Sequence, residues 1–130
     1  FTGGMMGAMV ERDMGIDPAR GMMGGVTGGG MWFVNGVAAE GPMLEPFLTL
    51  ERAQSHVLEL TNATAFTHPI HLHGHSFRVL SRDEWLDTVL IAPRERIEIA
   101  LVADNPGDWM FHCHILEHQA AGMMGVIRVA

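Results

Sequence analysis

The 130-residue chain reads as an all-β protein, a Greek-key sandwich or barrel of antiparallel strands with one short helix. Three observations point there. Short apolar runs recur between clusters of turn residues along most of the chain. Residues 96–102 alternate, with Ile97, Ile99 and Leu101 apolar against charged or small neighbours, the pattern of a strand with one buried face. Asp104-Asn105-Pro106-Gly107 is a strong turn between two such runs.

Residues 1–31 differ from the rest. They are rich in glycine and methionine, with Met5, Met6, Met9, Met14, Met22, Met23 and Met31, and with Gly28-Gly29-Gly30 near the end. They lack a clear period, and Asp17-Pro18 suggests a turn, so loop, linker or a poorly ordered tail is expected. One domain then follows over 32–130. Strands are expected at Trp32–Asn35, ending in Asn35-Gly36, and at Leu44–Leu50, broken near Pro46. Further strands are expected at Ser55–Asn62, Ser76–Ser81, Asp87–Ile91, Arg96–Val102, Trp109–Cys113 and Met124–Val129, with a short helix over Ile115–Ala120.

The chemistry is concentrated in two motifs. Residues 112–123 hold the only cysteine, Cys113, between His112 and His114, with His118 and Met123 downstream. One thiolate, imidazoles and a thioether are the ligand set of a blue copper centre. In an extended strand Cys113 points to one face, and His112 and His114 point to the other. His118 and Met123 follow a turn or short helix that can fold back toward the sulfur.

The second motif is His68-Pro69-Ile70-His71-Leu72-His73-Gly74-His75. Pro69 pushes His68 toward extended geometry. His71 and His73 then share a face, and His68 takes the opposite one. His68 can therefore join Cys113 and His118, while His71 and His73 can join His112 and His114. The two motifs make the same two-sided division independently.

These motifs, in this order, resemble the C-terminal domain of multicopper oxidases of the laccase and cuprous-oxidase group, over roughly residues 32–130. The resemblance implies a cupredoxin-like fold. It implies that His68, Cys113 and His118 are equatorial ligands of a type 1 copper, with Met123 axial. It implies that His71 binds a type 2 copper, and that His73, His112 and His114 bind a type 3 pair. Electrons from a reducing substrate would pass through Cys113, His112 and His114 to a three-copper cluster that reduces dioxygen to water.

The family's cluster takes eight histidines, four of them from an N-terminal cupredoxin domain. This sequence offers only His71, His73, His112 and His114 for that purpose. The type 1 set is complete and the oxygen-reducing set is half present. The missing half is expected from another cupredoxin domain of the same parent, and a homo-oligomer is a further way to bring copies together. Alternative readings are a stand-alone blue-copper electron carrier and a copper-tolerance module. The latter would use the methionine-rich segment, whose soft thioethers suit Cu(I).

Other positions weigh less. A closed zinc tetrahedron fits one cysteine and a thioether less well than copper does. His75 follows Gly74, which breaks the extended geometry, so it is not expected to be a ligand. His56 is isolated in a strand and reads as an ordinary surface histidine. Gln119 stands where some bacterial relatives carry an acid for proton delivery, and an amide cannot serve that way. Asn62-Ala63-Thr64 has the form of a glycosylation acceptor. The link from Leu80 to Trp85 is short beside the longer hairpin that family members often carry.

Composition bounds the rest. Eight basic against 15 acidic side chains give a net charge of −7, which argues against a nucleic-acid binder held by charge. No apolar run is long enough for a membrane-spanning helix, and no signal peptide is visible. One cysteine excludes an internal disulfide and says little about redox compartment. The chain starts at Phe1, so it is expected to be processed or excised from something longer. Location in the periplasm or outside the cell is implied by the resemblance alone.

Overall fold

The structure, a computed structural model, describes residues 1–4, 7–15, 32–35 and 45–130. Two open sheets face each other across a shared core, and among the described residues no closed barrel forms. The elements run as β1 (Thr2–Gly3), α1 (Gly7–Asp13), β2 (Trp32–Phe33), β3 (Leu48–Leu50), β4 (Ser55–Thr61) and β5 (His68–Leu72). They continue as β6 (Phe77–Val79), β7 (Glu84–Leu86), β8 (Thr88–Ile91), β9 (Arg96–Val102), β10 (Gly107–Cys113), α2 (Leu116–Ala120) and β11 (Met124–Val129).

One sheet has the order β3-β11-β10-β5-β8, the other β4-β9-β6-β7, and β1 pairs with β2 alone. Pairing is antiparallel except for β3 beside β11. The chain alternates between sheets: β4, β6, β7 and β9 enter one, and β5, β8, β10 and β11 the other. This crossing lays β5 beside β10, with His112 opposite His71 and Cys113 opposite Ile70, although the two strands lie some 40 residues apart in sequence.

Alternation explains the core. In β9, Ile97, Ile99 and Leu101 are buried between exposed or half-buried neighbours. In β5, His68, Ile70 and Leu72 are buried, and Ile70 and Leu72 join Phe77 and Val79 of the other sheet in one cluster. Burying a branched aliphatic side chain of this size contributes about 1.5–3 kcal/mol.

Most strands lie where the sequence places them, with shorter ends. β2 covers two of the four residues expected, and β3 starts at Leu48, beyond Pro46; Leu44 lies outside the described residues. β7 was not expected. The brief Leu80–Trp85 link is itself a hairpin, in which Asp83 takes a left-handed φ of 52° and returns the chain from β6 to β7.

The expectation of loop at the N-terminus does not hold for residues 1–4 and 7–15. Thr2–Gly3 pairs with Trp32–Phe33, and the Phe1 ring packs on Phe111 at 5.7 Å. Helix α1 buries Val10 and is tied to the β8–β9 turn and β9 by Arg94–Asp13 at 3.1 Å and by Arg96 donating to the Met14 carbonyl. These partners are some 80 residues away, so no local signal announces the helix. The Asp17-Pro18 turn and the glycine triplet lie outside the described residues, as do Met5, Met6, Met22, Met23 and Met31.

Candidate metal centre

Strand β5 begins with His68, and β10 ends with Cys113. Both side chains project into the core, and both are fully buried. Helix α2 then turns the chain so that His118 returns to the same place. Cys113 Sγ lies 3.5 Å from His68 Nδ1 and 3.6 Å from His118 Nδ1, and the two Nδ1 atoms are 3.1 Å apart. Among the described residues this is the one group whose donor atoms converge within 4.8 Å. Met123 is fully buried in the same core cluster. Its backbone closes the loop: Met123 N–H donates to the His118 carbonyl at 3.0 Å, and Cys113 N–H donates to the Met123 carbonyl at 3.1 Å.

The proton on His68 can be placed by counting donors. Asn62 spends its amide N–H groups on the carbonyls of Phe66, Ile91 and Ala92, so its Oδ1 is an acceptor. Thr64 Oγ1 lies 2.6 Å from that oxygen and 3.0 Å from the Phe66 carbonyl, both acceptors, so its single proton goes to them. The hydroxyl then has only lone pairs for His68 Nε2 at 2.7 Å, so Nε2 carries the proton. This assignment leaves Nδ1 bare and aimed at the sulfur, as a metal ligand requires.

Electrostatics agree. Burial, then the neighbouring His118, pushes the His68 pKa down to about 4. Burial also lowers His118, against a raising pull from Glu117. The Cys113 thiol is raised by burial, partly offset by a backbone hydrogen bond from Ile115. The histidines therefore stand neutral and ligand-ready at pH 7, while the thiol must give up a proton to bind a metal.

The opposite face of the same sheet carries the other four histidines. His73 Nε2 and His112 Nε2 are 2.9 Å apart. His71 sits 4.7 Å from His73, 5.6 Å from His112 and 5.7 Å from His114, ring centre to ring centre. His112 Nδ1–H donates to the Cys113 carbonyl at 2.9 Å, and His71 Nδ1–H to the Asp87 carbonyl at 2.8 Å. Both rings thus present a bare Nε2. Burial, followed by the charges of the other outer histidines, lowers His73 and His112, the latter against its hydrogen bond to Cys113. The turn after His73 is pinned by Trp109, whose ring lies where a Cβ on Gly74 would be, and by Asn105 donating to the Gly74 carbonyl.

A family description, multicopper oxidase, matches residues 16–130. The chain belongs to the multicopper oxidase family. Over 110 residues it is 38% identical to multicopper oxidase MmcO of Mycobacterium tuberculosis, a match covering 78% of this chain and 20% of that protein. It is 39% identical over 89 residues to a multicopper oxidase of Staphylococcus epidermidis, covering 58% of this chain and 20% of that one. A solved multicopper oxidase from Pseudomonas thermotolerans superposes with a TM-score of 0.63 at 46% identity, over 65% of this chain and 22% of that chain. This chain spans about a fifth of the length of those relatives.

In this multicopper oxidase chain the donor set fits copper: one buried thiol, two imidazoles whose Nδ1 atoms face it, and a buried methionine on the adjoining loop. One expectation changes. Asn62 is fully buried with its amide committed to three carbonyls, so the Asn62-Ala63-Thr64 triplet is no glycosylation acceptor in the folded protein. It is instead the support of His68. His75 is buried away from the outer histidines' ring contacts and leans on Trp109 at 5.8 Å, with Nδ1 toward the His73 carbonyl at 3.3 Å. His56 holds the Glu51 carbonyl at 3.0 Å, as befits an ordinary histidine. Sequence reasoning missed Thr64 and Trp32. The spacing of Thr64, four residues before His68, was a readable signal for a capping hydroxyl; nothing in the sequence flagged Trp32.

Proposed function

We propose that the chain is the C-terminal cupredoxin domain of a laccase-like multicopper oxidase. The observation that carries this is the two-faced junction on one sheet. His68, Cys113 and His118 converge on the core side, and His71, His73, His112 and His114 cluster on the other. Copper at these positions supplies one-electron oxidation of a reducing substrate, a phenol, aromatic amine or metal ion such as Cu(I), and four-electron reduction of dioxygen to water.

The residues divide the work. His68, Cys113 and His118, with Met123, would hold the type 1 ion. Thr64 holds the proton on the far nitrogen of His68. His118 is the least buried of the three, so a reducing substrate approaches there. His112 and His114 flank Cys113 directly, and one peptide unit each way is the shortest covalent link from the sulfur to the outer face. His71 holds a type 2 ion, and His73, His112 and His114 hold type 3 ions. The outer face also exposes Leu90, which lies opposite Pro69 beside the histidines. An apolar rim around half a ligand set suits a second cupredoxin domain of the parent, which would supply the remaining histidines. Residues 1–4 and 7–15 pack as part of this domain rather than as a tail. Export to the periplasm or beyond completes the reading, and cell fractionation tests it.

The test uses the intact copper-loaded protein. A strong absorption band at about 600 nm reports the thiolate–copper bond. Oxygen uptake with a phenolic substrate reports the cluster. His112→Ala is expected to abolish oxygen uptake while keeping the band. No band at full copper loading would sink the type 1 assignment; a band without oxygen uptake in the unmutated protein would favour an electron carrier.

A further inference from the structure

The two type 1 histidines are held by different devices. His68 has the Thr64 hydroxyl on its far nitrogen. His118 has no hydrogen-bond partner at Nε2 among the described residues. A metal-binding imidazole is ordinarily oriented by such a bond; among the described residues the His118 ring is held instead by ring contacts. Trp32 is the group in contact. Its ring lies 4.2 Å from the His118 ring, tilted by 36°, and 4.9 Å from His68 in an edge-on contact. Phe66 closes the other side, 5.5 Å from Trp32 and 6.4 Å from His118.

Trp32 is itself clamped from behind. Strand β1 pairs with β2, with Gly3 opposite Trp32. The next residue, Gly4, has φ +72°, and a Cβ there would fall 2.4 Å from the indole Cη2. Glycine is therefore required twice, for the left-handed backbone and for the close approach. The backbone N–H of Trp32 donates to the Ala121 carbonyl at 3.1 Å, in the loop between His118 and Met123. One residue thus touches both imidazoles by its ring and the ligand loop by its main chain.

Resting on the type 1 reading above, we propose that Trp32 is a positioning residue of the copper centre, pressed against His118 and His68 by the N-terminal strap of residues 1–4. The strap holds the His118 ring by stacking and keeps water off the ligand rings. Aromatic contacts of this kind add to burial and favour one ring orientation.

The experiment compares Trp32→Leu, Trp32→Phe and Gly4→Ala with the unmutated intact protein, and with Trp85→Phe, an exposed indole elsewhere, as control. Trp32→Leu is expected to speed copper release to a chelator about tenfold, the scale of losing an outer-shell support. It is also expected to lower the type 1 reduction potential, because water reaching the site favours the more highly charged cupric form. Gly4→Ala should shift both in the same direction although it touches no ligand. In the metal-free protein, Trp32→Leu should move the His118 ring-proton resonances out of the indole ring current. Trp32→Phe and Gly4→Ala carry the test if Trp32→Leu fails to fold. Unchanged potential and release rate in these variants, with a wild-type band at about 600 nm, would overturn the proposal. Absence of that band in the unmutated protein would instead overturn the type 1 reading beneath it.

Discussion

Replacing Thr64 by valine keeps the shape of a buried side chain and removes one hydroxyl. Four contacts go with it, the one to the Phe66 carbonyl being covered by the bond that Asn62 Nδ2 also gives it. His68 Nε2–H loses its acceptor at 2.7 Å, Asn62 Oδ1 loses its donor at 2.6 Å, and the Phe66 N–H loses its acceptor at 3.2 Å. Asn62 Oδ1 keeps the Thr64 backbone N–H at 3.0 Å, so it is not orphaned. The His68 donor is orphaned inside a fully buried ring. An unsatisfied buried donor costs about 1–3 kcal/mol, and the half-buried Phe66 bond about 1 more. The metal-free protein should therefore lose about 2–4 kcal/mol in urea unfolding. His68 can relieve the loss by moving its proton to Nδ1, the nitrogen that faces Cys113. That tautomer cannot bind copper without releasing the proton, so copper affinity should fall about 10- to 100-fold in a chelator competition titration. Thr64→Ser restores the hydroxyl and should recover most of the affinity. If the valine protein bound copper as tightly as the unmutated one, or if serine behaved like valine, the assigned proton on Nε2 would be wrong.

Three other outcomes are expected. The metal-free fold should weaken as pH falls from 6.5 to about 4, because His68 titrates at about 4 in the fold and at 6.5 when unfolded, so the unfolded chain binds more protons in that window. The contribution is about 3 kcal/mol, His118 and His112 act in the same direction, and urea midpoints that stay flat across the window would contradict it. Gly74→Ala should destabilise by about 2–4 kcal/mol, since a Cβ would meet Trp109 Cε3 at 2.5 Å in a left-handed backbone of φ +74°. Because that turn carries His73, oxygen uptake should suffer more than the type 1 band, and the reverse order would be evidence against the outer-face assignment. Cys113→Ser should erase the absorption at about 600 nm while leaving circular dichroism native-like; a surviving band would remove the cysteine from the site.

Much of the junction is legible in the sequence because it is local. His68 against His71, and Cys113 against His112, are separated by an odd number of residues in extended chain, and that alone sends them to opposite faces. The strand Arg96–Val102 is legible for the same reason, through its alternation. Helix α1 is not, because seven residues with glycine and methionine carry no helical period and their hold comes from Arg94 and Arg96. The Asn62-Ala63-Thr64 triplet shows the limit most clearly. Read alone it resembles a surface acceptor, and only its burial between β4, the β8–β9 turn and His68 turns it into a proton-placing support.

The sequence by itself determined the ligand types and the two-sided division of the histidines, since side-chain alternation is a property of the extended backbone and needs no partner. Tertiary structure decided which imidazole nitrogen faces the sulfur, what orients each ring, and that residues 1–4 press on the centre. Those features depend on a hydroxyl, an indole and a glycine carried to the site by sheet packing from elsewhere in the chain. A tautomer or a ring contact has no energy until the groups that set it are within a few ångströms, and only the fold puts them there.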